Sequence, residues 1–268
     1  ANCPRILSIA GSDSGGGAGI QADIKAVTAL RGFAMTAITA LTAQNTLGVE
    51  DIHPVPEAFI RQQIEVVAGD FGADCIKTGM LHSAGVIETV ADSLAAALPG
   101  VPIVVDPVMV AKGGARLLEE RAVAAMVARL IPLAALITPN LPEAEVLLGR
   151  AIPAAEAMEQ AAVDLLALGP RAVMLKGGHL ESDHLVDVLA TADGRIERFG
   201  GPRLDSRNTH GTGCTIASAT ATGIAQGLPL DAAFARARDY VVEAIRRAPG
   251  FGQGHGPLDH GHTVRDGV

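Results

Sequence analysis

The sequence predicts an α/β fold in which a mostly parallel sheet carries helices on both faces. Short, β-branched apolar runs alternate with longer helical patterns as far as Lys176, which is the mark of βαβ units. Beyond Lys176 the alternation breaks, and Asp193-Gly194 between two apolar runs signals an antiparallel hairpin in the C-terminal half. In chain order, strands are expected over residues 5–10, 35–41, 74–77, 102–105, 136–138 and 172–175. Helices are expected between them over 18–30, 56–69, 83–98, 120–130, 142–148 and 154–168. The first is marked by Ile20, Ile24, Val27 and Leu30 at helical spacing. The hairpin pairs 185–191 with 195–199, and helices over 212–226 and 230–248 complete one domain spanning 1–268. The tail over 249–268 is expected to be irregular; His255, His260 and His262 could mimic a metal tract there, but they read as part of a loose terminus.

Length and composition narrow the function classes. A chain of 268 residues can build a substantial core, and nothing in its pattern marks a linker. The formal net charge is -8 and no basic run exceeds Arg246-Arg247, so nucleic acid and anionic membranes are poor partners. The most apolar stretch, 122–137, is broken by Arg129 and Pro132, which argues against a membrane span. The first residues lack a leader-like pattern, and the expected setting is the cytoplasm. Cys3, Cys75 and Cys214 are odd in number and have no metal spacing, which argues against a disulfide framework or a zinc site. Trp is absent and aromatics are scarce, so base-stacking platforms are not expected.

The chemistry gathers in glycine-rich turns and at strand ends. Asn208-Thr-His-Gly-Thr-Gly-Cys214 feeds into the apolar run 215–224, so unpaired amides and the helix dipole create a place for an anion, with Cys214 facing it. The same residues also suit an ordinary helix cap behind a loop. Gly11-Ser-Asp-Ser-Gly-Gly-Gly-Ala-Gly19 follows the first strand but fits neither the dinucleotide fingerprint nor a P-loop. Asp23, one turn into the next helix, could face a ligand or be a solvated first-turn acid. Ligands of parallel sheets bind beyond the carboxyl ends of the strands, where Thr78-Gly-Met80, Asp106-Pro-Val-Met109, Pro139-Asn140 and Gly177-Gly-His179 lie. Asp106 suits a hydrated magnesium ion, and Glu143 could complete its shell or serve only in a capping box with Asn140. Lys176 is placed to reach phosphate oxygens or to snorkel.

These segments together resemble the ribokinase-type family, whose fold is a three-layer α/β/α sandwich, and within it the hydroxymethylpyrimidine/phosphomethylpyrimidine kinases of thiamin biosynthesis. The resemblance rests on Ala10-Gly-Ser-Asp-Ser-Gly-Gly-Gly-Ala-Gly-Ile-Gln-Ala-Asp23, Ile38-Thr-Ala-Leu-Thr-Ala-Gln-Asn45, Lys77-Thr-Gly-Met80, Asp106-Pro-Val-Met109, Thr138-Pro-Asn-Leu-Pro-Glu143, Leu175-Lys-Gly-Gly-His179 and Asn208-Thr-His-Gly-Thr-Gly-Cys214, in the family's order. It implies that ATP and magnesium phosphorylate the pyrimidine's hydroxymethyl group and then its monophosphate. It implies Gln44 as the main pyrimidine-reading side chain, with Asp23, Gly11, Met80 and Val108 completing that pocket. It places the anion hole at Gly211, Thr212 and Gly213, nucleotide contacts at Lys176, Asn140, Thr209 and Gly211, and metal contacts at Asp106 and Glu143. Cys214 takes the general-base position, where a helix N-terminus can lower a thiol towards neutrality. The first loop lacks the proline many relatives carry before the double glycine, which could loosen it. A homodimer is the family habit. A pyridoxal kinase of the same branch is the nearest alternative, and a non-catalytic sensor of a thiamin precursor is the alternative from another class.

Overall fold

The computed structural model describes residues 3–178 and 183–265; His179 of the Gly-Gly-His segment and Ala1 and Asn2 lie outside the described residues. A nine-stranded sheet runs in the order β3-β2-β1-β4-β5-β6-β7-β8-β9. Its strands β1 (Arg5–Asp13), β2 (Phe33–Gln44), β4 (Cys75–Thr78), β5 (Ile103–Val105), β6 (Leu136–Ile137) and β7 (Ala172–Leu175) are parallel. One edge is the antiparallel β3 (Val49–Pro54), and the other is the expected hairpin, β8 (His184–Thr191) with β9 (Ile196–Pro202).

Two helical layers sandwich this sheet. Helices α1 (Gly19–Ala29), α7 (Thr212–Ala225) and α8 (Leu230–Arg246) supply one core, and α2 (Glu57–Asp70), α3 (Ala84–Ala97), α4 (Ala122–Ala125), α5 (Leu141–Leu148) and α6 (Met158–Leu166) the other. Side chains alternate across a strand, so β1 sends Ile6 to the first core and Leu7 and Ile9 to the second. β7 divides likewise, with Ala172 and Met174 opposed to Val173 and Leu175. Burial on both faces is why β7 reads as an unbroken apolar run and β1 as one interrupted only by Ser8 over residues 6–10. α7 is buried from Thr215 to Gly223 and built from small residues, so it lies close to its neighbours; a methyl group on Gly223 would come within 2.7 Å of the Ala233 methyl carbon in α8.

Three elements differ from expectation. β3 is an edge strand whose side chains are half-buried or exposed, so Val-Glu-Asp-Ile-His-Pro carries no apolar signal. The helix expected over 120–130 becomes the short α4, a π-helical turn at Met126–Leu130 and a 3-10 turn at Ile131–Leu133, where Pro132 lacks the N–H that would continue an α-helix. The tail is not a loose terminus. It is irregular from Pro249 but packed, ending in α9 (His262–Arg265), and Leu258, Asp259, His260 and His262 are buried. Tyr240 donates its hydroxyl hydrogen to the His260 carbonyl at 2.7 Å, and its ring lies 4.8 Å from that of His262. Burial pushes His260 down to about 4, so its ring is neutral near pH 7. No helix among the described residues is long and apolar enough to cross a membrane.

Candidate active site

The chain leaves β1 for β2 and β3 on one side, then returns to β4 on the other. Such a reversal opens a crevice at the carboxyl ends of β1 and β4, and the glycine-rich turns lie there. Asp13, at the end of β1, accepts hydrogen bonds from the amides of Gly15 (2.8 Å), Gly17 (3.1 Å) and Ala18 (2.8 Å). Its carboxylate also meets His210 Nε2 at 2.8 Å, 197 residues away. Burial alone would raise Asp13, but the bonds from His210 and from the Ala18 and Gly15 amides outweigh it and hold its pKa below the ordinary carboxylate value. The loop that lost its proline is therefore held by a side chain. Asp13 and His210 received no separate role from sequence, although Asp13 is the one carboxylate of the first glycine turn and His210 the one imidazole of the second.

The second turn packs directly on the first. Gly211 has φ 81, and a methyl group there would overlap the Gly17 carbonyl oxygen, so both its backbone shape and its contact require glycine. Thr212 Oγ1 donates to the Thr209 carbonyl at 2.7 Å, and the bond from Thr215 N to Gly211 O, at 2.9 Å, opens α7. The amides of Gly213 and Cys214 precede that bond and lie where a helix start offers free donors. Lys176 Nζ is 3.5 Å from Asp106 Oδ1. A methyl group on Gly213 would stand 3.4 Å from Lys176 Nζ and 3.8 Å from Asp106 Oδ2, so these two charges and the start of α7 border one space.

An acidic corner adjoins it. Asp106 accepts from Thr138 Oγ1 at 3.1 Å. Asn140 and Glu143 form a reciprocal capping box, Glu143 N to Asn140 Oδ1 and Asn140 N to Glu143 Oε2, each at 2.9 Å. Burial pushes Glu143 up to about 7, with Asp106 adding to the rise and Lys176 opposing it. The capping reading of Glu143 thus holds, and the same carboxylate still feels the charges of the crevice. Burial would lower Lys176, but Asp106 and Glu143 outweigh it and keep the ammonium charged.

Asp23 departs from both expectations. It has no exposed surface, so it neither faces a ligand nor meets solvent. Lys77, equally buried, lies 2.9 and 3.0 Å from its two carboxylate oxygens, and Ser8 (2.6 Å) and Ser218 donate to it as well. Cys214 also departs. Burial pushes its thiol up to about 11; Lys77 pulls it down, but Asp23 and Asp106 add to the rise. The lowering of the thiol pKa expected of a helix N-terminus is overridden by desolvation beside two carboxylates.

The remaining predicted residues gather at the other side of the crevice. A methyl group on Gly11 would lie 2.8 Å from Met80 Sδ, and Thr39 Oγ1 fixes the Met80 carbonyl at 2.6 Å. Val108 is half-buried just beyond Asp106. Gln44 ends β2, its backbone exchanging hydrogen bonds with the Ser14 hydroxyl at 2.8 Å each, and its side-chain oxygen accepts from Thr42 Oγ1 at 3.1 Å. The first glycine loop and the end of β2 are thereby bound together.

Known proteins resemble this chain in sequence and in fold. The phosphomethylpyrimidine kinase family model matches residues 13–259. A hydroxymethylpyrimidine/phosphomethylpyrimidine kinase of Haemophilus influenzae is 48% identical over 262 residues, covering 97% of both chains. A thiamine biosynthesis bifunctional protein of Geobacter sulfurreducens is 54% identical over 265 residues; the match covers 97% of this chain and 54% of that longer protein. Among solved structures, a Staphylococcus aureus pyridoxal kinase in complex with ADP gives a TM-score of 0.90 at 33% identity, over 99% of this chain and 96% of that one. A phosphomethylpyrimidine kinase of Clostridium difficile gives 0.80 at 38% identity, over 90% of this chain and 99% of that one. With this fold, this site and matches across nearly its whole length, the chain belongs to the phosphomethylpyrimidine kinase family.

Proposed function

We propose that this chain uses ATP to phosphorylate 4-amino-5-hydroxymethyl-2-methylpyrimidine and then its monophosphate, for thiamin biosynthesis. The observation that carries this reading is the shared border of Lys176, Asp106 and the free amides of α7, with Gly213 leaving the space open. The transferring phosphoryl group spreads charge over its oxygens, and fixed donors aimed there lower the barrier. In this reading Lys176 and the turn at Gly211, Thr212 and Gly213 hold that group, and Asn140 and Thr209 contact the nucleotide. Asp106 and Glu143 would hold magnesium, whose chemistry is to neutralise phosphate charge. Burial is the main cause of the rise of Glu143, and the smaller push from Asp106 is the part that a cation between the two carboxylates would relieve. Gln44, Gly11, Met80 and Val108 receive the ring. Asp23 supports the pocket from behind Lys77 rather than touching substrate. The domain works as a homodimer, which the family resemblance supports, and its setting in this reading is the cytoplasm.

Phosphorus NMR of the protein with MgATP and the pyrimidine tests the reaction. Monophosphate should appear first and diphosphate after it, each with one equivalent of ADP. ADP release without either product would contradict the reading.

Cys214 is the acceptor of the hydroxyl proton in this scheme. A thiol at about 11 is protonated at neutral pH, and its thiolate fraction grows tenfold with each unit of rising pH. The expected kcat/KM for the pyrimidine alcohol therefore climbs with a slope near one from neutral pH towards about 10. Cys214→Ala should lie roughly 10²- to 10⁴-fold lower and lose that slope. A flat wild-type profile, or a variant within threefold of wild type, would remove the base role.

Pyridoxal is the competing acceptor, because pyridoxal kinases share the fold with a TM-score as high as 0.90. Identity favours the pyrimidine, at 48% for the Haemophilus kinase against 33% for the Staphylococcus pyridoxal kinase. A non-catalytic sensor has no need of Lys176, Asp106 and the glycine turn together.

A further inference from the structure

The packed C-terminal segment is bonded to two separate parts of the fold, the turn joining β2 to β3 and the turn before α7. At one end Thr46, two residues beyond Gln44, accepts from Gly254 N through its hydroxyl at 3.2 Å and from His255 N through its carbonyl at 2.8 Å. At the other, Gly256 O accepts from His210 N at 3.1 Å, and His260 Nε2 lies 2.8 Å from the hydroxyl of Thr215, the neighbour of Cys214. The approach is close at both ends. A methyl group on Gly254 would overlap the Thr46 carbonyl oxygen, and one on Gly256 would overlap the Asn208 side-chain oxygen.

The two ends differ in how else they are held. The turn before α7 is fixed independently, by Asp13 on His210 and by Gly17 against Gly211. The turn joining β2 to β3 has less support. Asn45 Oδ1 organises it internally, accepting from Leu47 N at 2.8 Å and Gly48 N at 3.3 Å, and Ser14 holds Gln44. We propose that residues 252–260 are a strap that sets the position of the Gln44 corner relative to the phosphate-binding turn, with Thr46 and Gly254 as positioning residues for the acceptor. This rests on the reading of Gln44 as the ring-recognising side chain. Loosening the strap should move the acceptor, because the phosphate turn keeps its own clasp.

Steady-state kinetics on Gly254→Ala and Thr46→Val, both at the Gln44 end of the strap, test this, with Gln44→Ala alongside and thermal melting as a check on folding. Each strap variant should lose roughly ten- to a hundredfold in kcat/KM for the pyrimidine, the scale of a misplaced reactant, while KM for ATP stays at the wild-type value. Thr46→Val removes an acceptor without adding bulk, so it carries the test if the glycine variant fails to fold. Wild-type kinetics in the variants, or equal losses for ATP and pyrimidine, would overturn the strap. A loss in Gln44→Ala with none in the strap variants sinks the strap alone. A silent Gln44→Ala beside impaired strap variants sinks the Gln44 reading and leaves the strap standing.

Discussion

Lys176→Ala is expected to lower kcat/KM for the pyrimidine alcohol by roughly 10²- to 10³-fold, the scale of losing one preorganised charge-stabilising group. A still larger loss is expected for the monophosphate. Lys176 is only 14% exposed and is kept charged by Asp106 and Glu143, so no water-borne cation replaces it easily. The alcohol enters neutral and the monophosphate enters as an anion, so the second step brings more negative charge to the same crevice. Removing the ammonium also leaves Asp106 and Glu143 facing one another unrelieved, which pushes Glu143 further above its present value of about 7. Measuring both acceptors at saturating MgATP decides the matter. Equal losses would show that Lys176 serves ATP alone, and a greater loss on the alcohol would refute the charge argument.

The largest effect on stability is expected at Asp23. Asp23→Ala should cost about 3–5 kcal/mol, because it strands the buried Lys77 ammonium without its counter-charge. Lys77 and Asp23 both have no exposed side-chain surface, so solvent does not screen the loss. Ser8 and Ser218 lose their acceptor at the same time. The double variant Asp23→Leu with Lys77→Met should recover part of that stability, since removing both charges also removes their desolvation. Denaturant midpoints on the three proteins check this. A single-variant cost below about 1 kcal/mol would mean that the pair contributes no more than a surface ion pair does.

How much of this was legible in the sequence depends on distance along the chain. β5, β6 and β7 could be read because both faces are buried and their runs are continuously apolar, and β1 and β4 because only Ser8 and Lys77 interrupt their apolar runs before the strand ends. β3 could not, since an edge strand with half-exposed side chains has no such run. The motif residues were sought at strand ends, and the strand order opens a crevice at the carboxyl ends of β1 and β4. Their partners were not legible. The pairing of Asp23 with Lys77 spans 54 residues and that of Asp13 with His210 spans 197, and no local pattern encodes either. The thiol of Cys214 went the other way from expectation for the same reason: the helix start is visible in the glycines, but the carboxylates packed beside the sulfur are visible only in the fold. The tail looked loose because glycine and histidine are common in loops, whereas His260 and His262 are buried against α7 and α8 and only His255 is exposed.

The central claim is that one crevice phosphorylates both the hydroxymethylpyrimidine and its monophosphate. The most direct test is a comparison of kcat/KM for the pyrimidine, the pyrimidine monophosphate and pyridoxal, each with MgATP and the same protein sample. The account predicts turnover of both pyrimidine acceptors, with the free pyrimidine preferred to pyridoxal by at least about tenfold, as expected where one ring makes hydrogen bonds the other lacks. A preference for pyridoxal, or no transfer to either pyrimidine, would contradict it.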